Sequence, residues 1–241
     1  MRFLPTLANR LSPYDVYERH AVVSQLLQKV LPLAEKQQIL DVGGRIALLD
    51  RFLPYQTIAI NPDGTGHILG NGGQLPFANN TFAAVVNIDT LEHLPGQTRL
   101  PFIQECLRVS QHTVIVAAPY GSEAHIRLEK ELNELHIQVG GRPHQYLSEH
   151  VEHGLPSPEQ LASFAQALQP ASTQFHYAGN FIWQGRSFAR AVRAQQQPRL
   201  LARFTNLYNR LSGMALFHPI ALTTEPTPTT NRFYLVISKS A

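Results

Sequence analysis

The sequence predicts an α/β chain built on a mostly parallel sheet with helices on both faces, and three observations carry that expectation. Runs such as Phe82 to Ile88 and His112 to Ala118 are apolar nearly throughout, as strands covered on both faces tend to be. Helical patterns with apolar steps of three and four residues alternate with these runs, which implies parallel β-α-β units. Glycine, asparagine and proline cluster where the runs end, as at Gly43-Gly44 and Asn61-Pro62-Asp63-Gly64, and these residues suit turns. A chain of 241 residues, 44% of them hydrophobic, fits one domain with a proper core.

Taken in order, a helix is expected from Ser12-Pro13-Tyr14-Asp15. Serine can cap the free amides, proline suits the first helical position and an acid favours the dipole. Val16, Val23, Leu26, Leu27 and Val30 form its buried stripe, and Pro32 stops it. A strand at Ile39 to Val42 enters the diglycine turn, followed by a brief helix from Ile46 to Leu53 that Pro54 closes. Strands follow at Thr57 to Ile60, His67 to Leu69 and Phe82 to Ile88. Leu100, Ile103 and Leu107 mark a helix before the strand His112 to Ala118. Leu128, Leu132 and Leu135 mark another, capped by Ser122, and Ser157-Pro158-Glu159-Gln160 opens a third with Leu161, Phe164 and Leu168. The tail predicts a strand near Thr173 to Tyr177, a helical insertion from about Trp183 to Leu211, a surface loop at Thr223 to Pro228 and a last strand at Phe233 to Ile237.

Charge and cysteine content exclude several classes. Cys106 is the single cysteine, so no disulfide framework is expected and a cytoplasmic setting is the default. Met1 to Pro5 lead into polar residues, unlike a signal peptide, and no apolar stretch approaches the roughly 18 residues of a membrane span. The net charge of +3 is unevenly spread. Between Glu159 and Glu225 there is no carboxylate, but there are six arginines, Arg186, Arg190, Arg193, Arg199, Arg203 and Arg210. Their spacings of three and four can line helical faces. Such a face can meet phosphates of a substrate, an acidic partner or a membrane surface, against the plainer reading of a solvated face. Trp183, Phe188, Phe204, Leu207 and Tyr208 are expected to pack this piece onto the sheet edge, as a lid above an acceptor pocket. No DNA-binding motif accompanies the charge.

An open parallel sheet binds ligands beyond the carboxyl ends of its strands, where the strand order reverses. Asp41-Val42-Gly43-Gly44 stands there, and its glycines allow a ligand to approach the backbone. The dinucleotide pattern G-x-G-x-x-G is not met, because Arg45 and Leu48 occupy its second and third glycine positions. Further on come Gly70-Asn71-Gly72-Gly73-Gln74-Leu75-Pro76-Phe77 and, after the next strand, Asp89-Thr90-Leu91-Glu92-His93. These stretches, with Glu105, Arg108-Val109, Pro119 and Leu147 to Pro156, resemble the class I S-adenosylmethionine-dependent methyltransferases from Ile39 to Leu168.

The resemblance implies a Rossmann-like, mostly parallel seven-stranded sheet in one domain spanning residues 1–241. It divides the chain into an N-terminal helix (12–36), a cofactor-binding core (38–119), an extra helical segment (120–168) and a helical insertion or lid (182–218). It further implies S-adenosylmethionine as cofactor, held by Asp41, Gly43, Gly44, Asn61, Asn71, Gly72 and Asp89, and methyl transfer to an oxygen of a small molecule or sugar, which is anionic if the arginines meet it. Three positions depart from the family's pattern: Gly43-Gly44-Arg45-Ile46-Ala47 in the glycine motif, Asn61 at the ribose acid and Asn71 at the adenine acid. They leave open a methyltransferase-like fold that serves as an interaction module, and a nicotinamide-dependent oxidoreductase.

A hydroxyl acceptor must lose a proton, and histidine titrates near neutrality. His93 and His150 are the catalytic candidates, each with a structural alternative. Five of the 11 histidines lie between His125 and His153. Glu149, His150, Glu152 and His153 offer imidazole and carboxylate groups but no established metal-ligand spacing, so no metal is expected.

Overall fold

The computed structural model describes residues 6–31 and 37–239; Met1 to Pro5, the Pro32 helix stop and the end of the N-terminal segment at residue 36 lie outside them. The elements are α1 (Leu7–Arg10), α2 (Tyr14–Val30), β1 (Gln38–Val42), β2 (Gln56–Asn61), β3 (Ile68–Leu69), β4 (Phe82–Ile88), α3 (Arg99–Val109), β5 (Ser110–Pro119), α4 (Glu123–Gly140), α5 (Gln145–His153), α6 (Pro158–Ala167), β6 (Ser172–Ala178), α7 (Phe181–Ala194), α8 (Arg199–Ser212) and β7 (Arg232–Ser238).

The seven strands form one sheet in the order β3-β2-β1-β4-β5-β7-β6. The pairs from β3 to β5 are parallel, whereas β7 runs antiparallel to both β5 and β6. In register, Leu40 stands between Ile58 and Val85. Alternation along the strands makes two cores. Leu40, Val42, Val85, Val114 and Val116 meet Phe102, Ile103 and Cys106 of α3 and Leu161 and Phe164 of α6. Ile39, Ala84, Val86, Ile115 and Ala117 point the other way, onto Val22, Val23, Leu26 and Leu27 of α2. Both faces are therefore covered, which is why the strand sequences read as unbroken apolar runs.

Ser122 and Ser157 cap α4 and α6 as expected, accepting from the amides of His125 and Gln160. Ser12 does not cap α2; its hydroxyl accepts from Arg51, and Pro13 occupies the cap position without a side-chain bond. Val30, expected in the buried stripe of α2, is exposed.

The expected helix from Ile46 to Leu53 is reduced to one 3-10 turn at Leu49–Arg51. The amide of Ile46 donates to Thr65 O, and Ala47 takes a φ of 61°. That left-handed conformation is costly for a residue with a Cβ and breaks a helix before it can propagate. Among the described residues no α-helix therefore stands between β1 and β2. The helical insertion is two helices, because Gln195 to Pro198 separate α7 from α8.

Candidate functional site

The chain order reverses between β1 and β4, so the crevice at their carboxyl ends is where such a sheet takes ligands. Gly43 has a φ of +84°, and a Cβ there would lie 2.1 Å from Thr90 Oγ1. The glycine is thus required by backbone conformation and by the close approach of the loop after β4. A Cβ at Gly44 would collide with the Asp41 carboxylate, and one at Gly72 with Phe102 and Val42. Asp41 is buried with Oδ1 unpartnered, and burial, with the charge of Asp50, pushes its pKa up to about 7.

The other residues expected to hold a cofactor are bonded to the protein itself. Asn61 Nδ2 donates to the carbonyls of Gly43 (3.0 Å) and Gly44 (3.3 Å) and to Thr65 Oγ1, while its Oδ1 accepts from the Asp63 amide. Asn71 Oδ1 accepts from the Gly73 amide at 2.9 Å. Asp89, at a φ of 51°, accepts from Arg19 and from both Nε and Nη2 of Arg232. Burial opposes its charge, but Arg232 and Arg19 hold its pKa below the usual carboxylate range. The side-chain-free turn and the orphaned Asp41 oxygen offer backbone and one unpaired polar atom to a small polar ligand. Asn61, Asn71 and Asp89 set the shape of their loops.

Thr90, in contact with Gly43, leads into the turn Leu91–His93, where the two catalytic candidates meet. His93 and His150 have ring centroids 5.1 Å apart. Ligand atoms of Glu92, His93 and His150 lie within 4.8 Å of one another. His150 Nδ1 donates to the Glu129 carboxylate at 3.1 Å, and its Nε2 is buried without a partner, as is Oε2 of Glu92. Burial works against charge on His150, yet Glu129 more than offsets it and raises the pKa. His93 Nδ1 lies 2.6 Å from Glu149 Oε2, an ion pair only when the ring is protonated, and burial with the charge of His150 lowers its pKa. Burial and Asp89 raise that of Glu92. Two imidazoles and a carboxylate are a donor set that could hold a divalent cation; neither Glu152 nor His153 joins them.

Two residues not singled out in the sequence build this cluster. Glu129 receives His150 and also stands 3.6 Å from His125 Nε2, its i,i+4 neighbour on α4; that spacing is the one signal that could have found it. Arg99, 1% exposed, donates to the carbonyls of Leu91, Leu94, His153 and Gly154 and to Gln160 Oε1. It ties the His93 turn to the end of the helix that carries His150.

Beyond Glu129 opens a cavity of about 640 Å³, walled in large part by apolar side chains including Leu128, Leu132, Leu147, Phe181 and Trp183, with Asp15, Glu129, Arg210 and Asn231 among its polar points. Trp183 and Phe188 are among the residues that line it. Phe204, Leu207 and Tyr208 do not pack inward; they are 60%, 51% and 60% exposed.

No protein-family model and no curated protein sequence matches the chain. Solved structures do. The chain resembles an S-adenosylmethionine-dependent methyltransferase of Thermotoga maritima (11% identity, 97% of this chain and 92% of that one, TM-score 0.56). It also resembles the YcgJ protein of Bacillus subtilis (13% identity, 92% and 99% covered, TM-score 0.51). A third is phosphoethanolamine N-methyltransferase 2 of Haemonchus contortus, solved with phosphomonomethylethanolamine and S-adenosylhomocysteine (14% identity, 90% of this chain, 52% of that one, TM-score 0.50). With the seven-stranded order and the reversed β7, these likenesses establish that the chain has the fold of the class I S-adenosylmethionine-dependent methyltransferases.

Proposed function

We propose that the chain is an S-adenosylmethionine-dependent methyltransferase that acts on an oxygen of a small molecule or sugar. The observation that carries this reading is a chain of contacts: Gly43 against Thr90, Glu92 and His93 of the next turn grouped with His150, and His150 bonded to Glu129, which lines the 640 Å³ cavity. Bound S-adenosylmethionine supplies an activated methyl group, so positioning the acceptor is much of the task left to the protein. Asp41 and the backbone of Gly43 and Gly44 receive the cofactor's polar end, with Gly72 packed behind. Asn61, Asn71 and Asp89 contribute through the loops they brace. The apolar wall seats the body of the acceptor, with Glu129 and Asn231 as polar points beside it. His150 Nε2, oriented by Glu129, takes the hydroxyl proton, with His93 beside it.

Titration calorimetry with S-adenosylhomocysteine tests the cofactor half, and saturable heat is expected. His150→Ala should then lower turnover by about 10²–10⁴-fold with that heat unchanged; unaltered turnover removes the assignment. A second reading, an interaction module without catalysis, draws on the loss of the helix after β1 and on the internal bonding of Asn61, Asn71 and Asp89. Folded protein that gives no heat at millimolar cofactor decides for it. Thermal protection by NADPH alone decides for an oxidoreductase.

A further inference from the structure

Helix α8 is built inside out. Ala202, Thr205, Asn209 and Ser212 are its half-buried positions; Asn209 accepts from Arg190 Nε and donates to Ser187 O of α7, and Thr205 donates to Gln197. Its large apolar side chains face away from the protein: Leu200 66%, Leu201 51%, Phe204 60%, Leu207 51%, Tyr208 60% and Leu211 47% exposed. At 3.6 residues per turn these six occupy an arc of roughly 120°, and Arg199, Arg203 and Arg210 fall together within roughly 40° on one flank. By contrast α7 buries Phe181, Ala189 and Val192 in the ordinary way. The apolar surface continues past the helix, where Phe217 is 63% exposed.

We infer that α8 is an interfacial helix that seats the protein on an anionic lipid bilayer, its apolar arc entering the headgroup region and its arginine flank meeting lipid phosphates. A contiguous apolar face of this size on a helix with no buried residue needs a cover, and an apolar arc edged by arginine is the pattern of helices that lie in a membrane interface. Charge selects the occupant. Among the described residues none of the six arginines of α7 and α8 makes an ion pair, and the chain has no carboxylate between Glu159 and Glu225 to answer them. A second copy docked on the same face would add six more arginines and no carboxylate from these helices; a phosphate-rich surface neutralises them. The helix lies on the bilayer, since no helix among the described residues is long and apolar enough to cross one.

Co-sedimentation of the full chain with sucrose-loaded vesicles tests this. Vesicles of phosphatidylcholine with phosphatidylserine should bind about a hundredfold more tightly than phosphatidylcholine alone, the gain expected of three arginines near the surface. Phe204→Asn with Leu207→Asn should weaken that binding by at least about tenfold, with unchanged circular dichroism and thermal unfolding. Failure to pellet with anionic vesicles, or equal pelleting by the double variant, overturns the inference. So does a dimer in sedimentation equilibrium without lipid that the same two substitutions dissociate, which assigns the face to a second copy.

Discussion

Replacing Arg232 by methionine is expected to cost about 3–5 kcal/mol of folding stability, the usual penalty for leaving a buried charge without its partner. Arg232 is 3% exposed and its guanidinium is shared between Asp89 Oδ1 (2.7 Å) and Glu18 Oε2 (3.4 Å). Glu18 is fully buried and also accepts from the Tyr234 hydroxyl. Removing the cation leaves Asp89 with Arg19 but leaves Glu18 with that hydroxyl as its one neutral partner. The midpoint in a urea titration should fall, and the melting temperature should drop by roughly 10 °C for a chain of this size. Adding Glu18→Gln should restore part of the loss, because the stranded charge is then gone. A single variant within about 1 kcal/mol of the parent would show that the network contributes little net stability.

Asp41→Asn should stabilise the protein, increasingly so as pH rises. In the folded chain Asp41 titrates near pH 7, pushed up by burial and by Asp50, against about 3.9 in an unfolded chain. The native state thus holds the proton more tightly than the unfolded state, so the favourable contribution is present below about pH 4 and is lost as pH rises through about 7. A shift of about three pKa units corresponds to roughly 4 kcal/mol as an upper limit. Asparagine never ionises, so the stability difference between variant and parent should be near zero at pH 4 and grow to a few kcal/mol by pH 8. Chemical denaturation at both pH values measures it, and a difference independent of pH contradicts the account. The same substitution should weaken cofactor binding if Asp41 receives the cofactor, and titration calorimetry with S-adenosylhomocysteine reads that directly.

The strands were legible because both faces of this sheet are covered and apolar residues leave little other choice. The α4 and α6 starts were legible because Ser122 and Ser157 act locally. The helix after β1 was not, since its fate was decided by Thr65, a residue of the next loop that takes the Ile46 amide. Periodicity marked an apolar face on α8 but not its direction: the spacing of Phe204, Leu207 and Tyr208 is the same whether the face meets a sheet or the outside. At the site, His93 and His150 could each be nominated, but their meeting involves Arg99, which bonds carbonyls of the Leu91 turn and of the end of α5 together with the Gln160 side chain. Asp89 could not be separated from a ligand-binding acid, because its partners Arg19 and Arg232 come from opposite ends of the chain.

The adjacency of β6 and β7 has an evolutionary corollary. The segment that carries α7 and α8 leaves the sheet at Ala178 and re-enters beside it, where the Asn231 amide donates to Ala178 O and Arg232 pairs with Ala178 in register. The excursion thus leaves and rejoins the sheet at one rung of a hairpin, with Thr223 bridging back to Tyr177 on the way. Length added to such a loop raises its closure cost only logarithmically, and the β6–β7 register is set by residues outside the two helices. Helices with new surface chemistry can be exchanged at this point while the sheet that positions Gly43, His93 and Asp89 stays as it is.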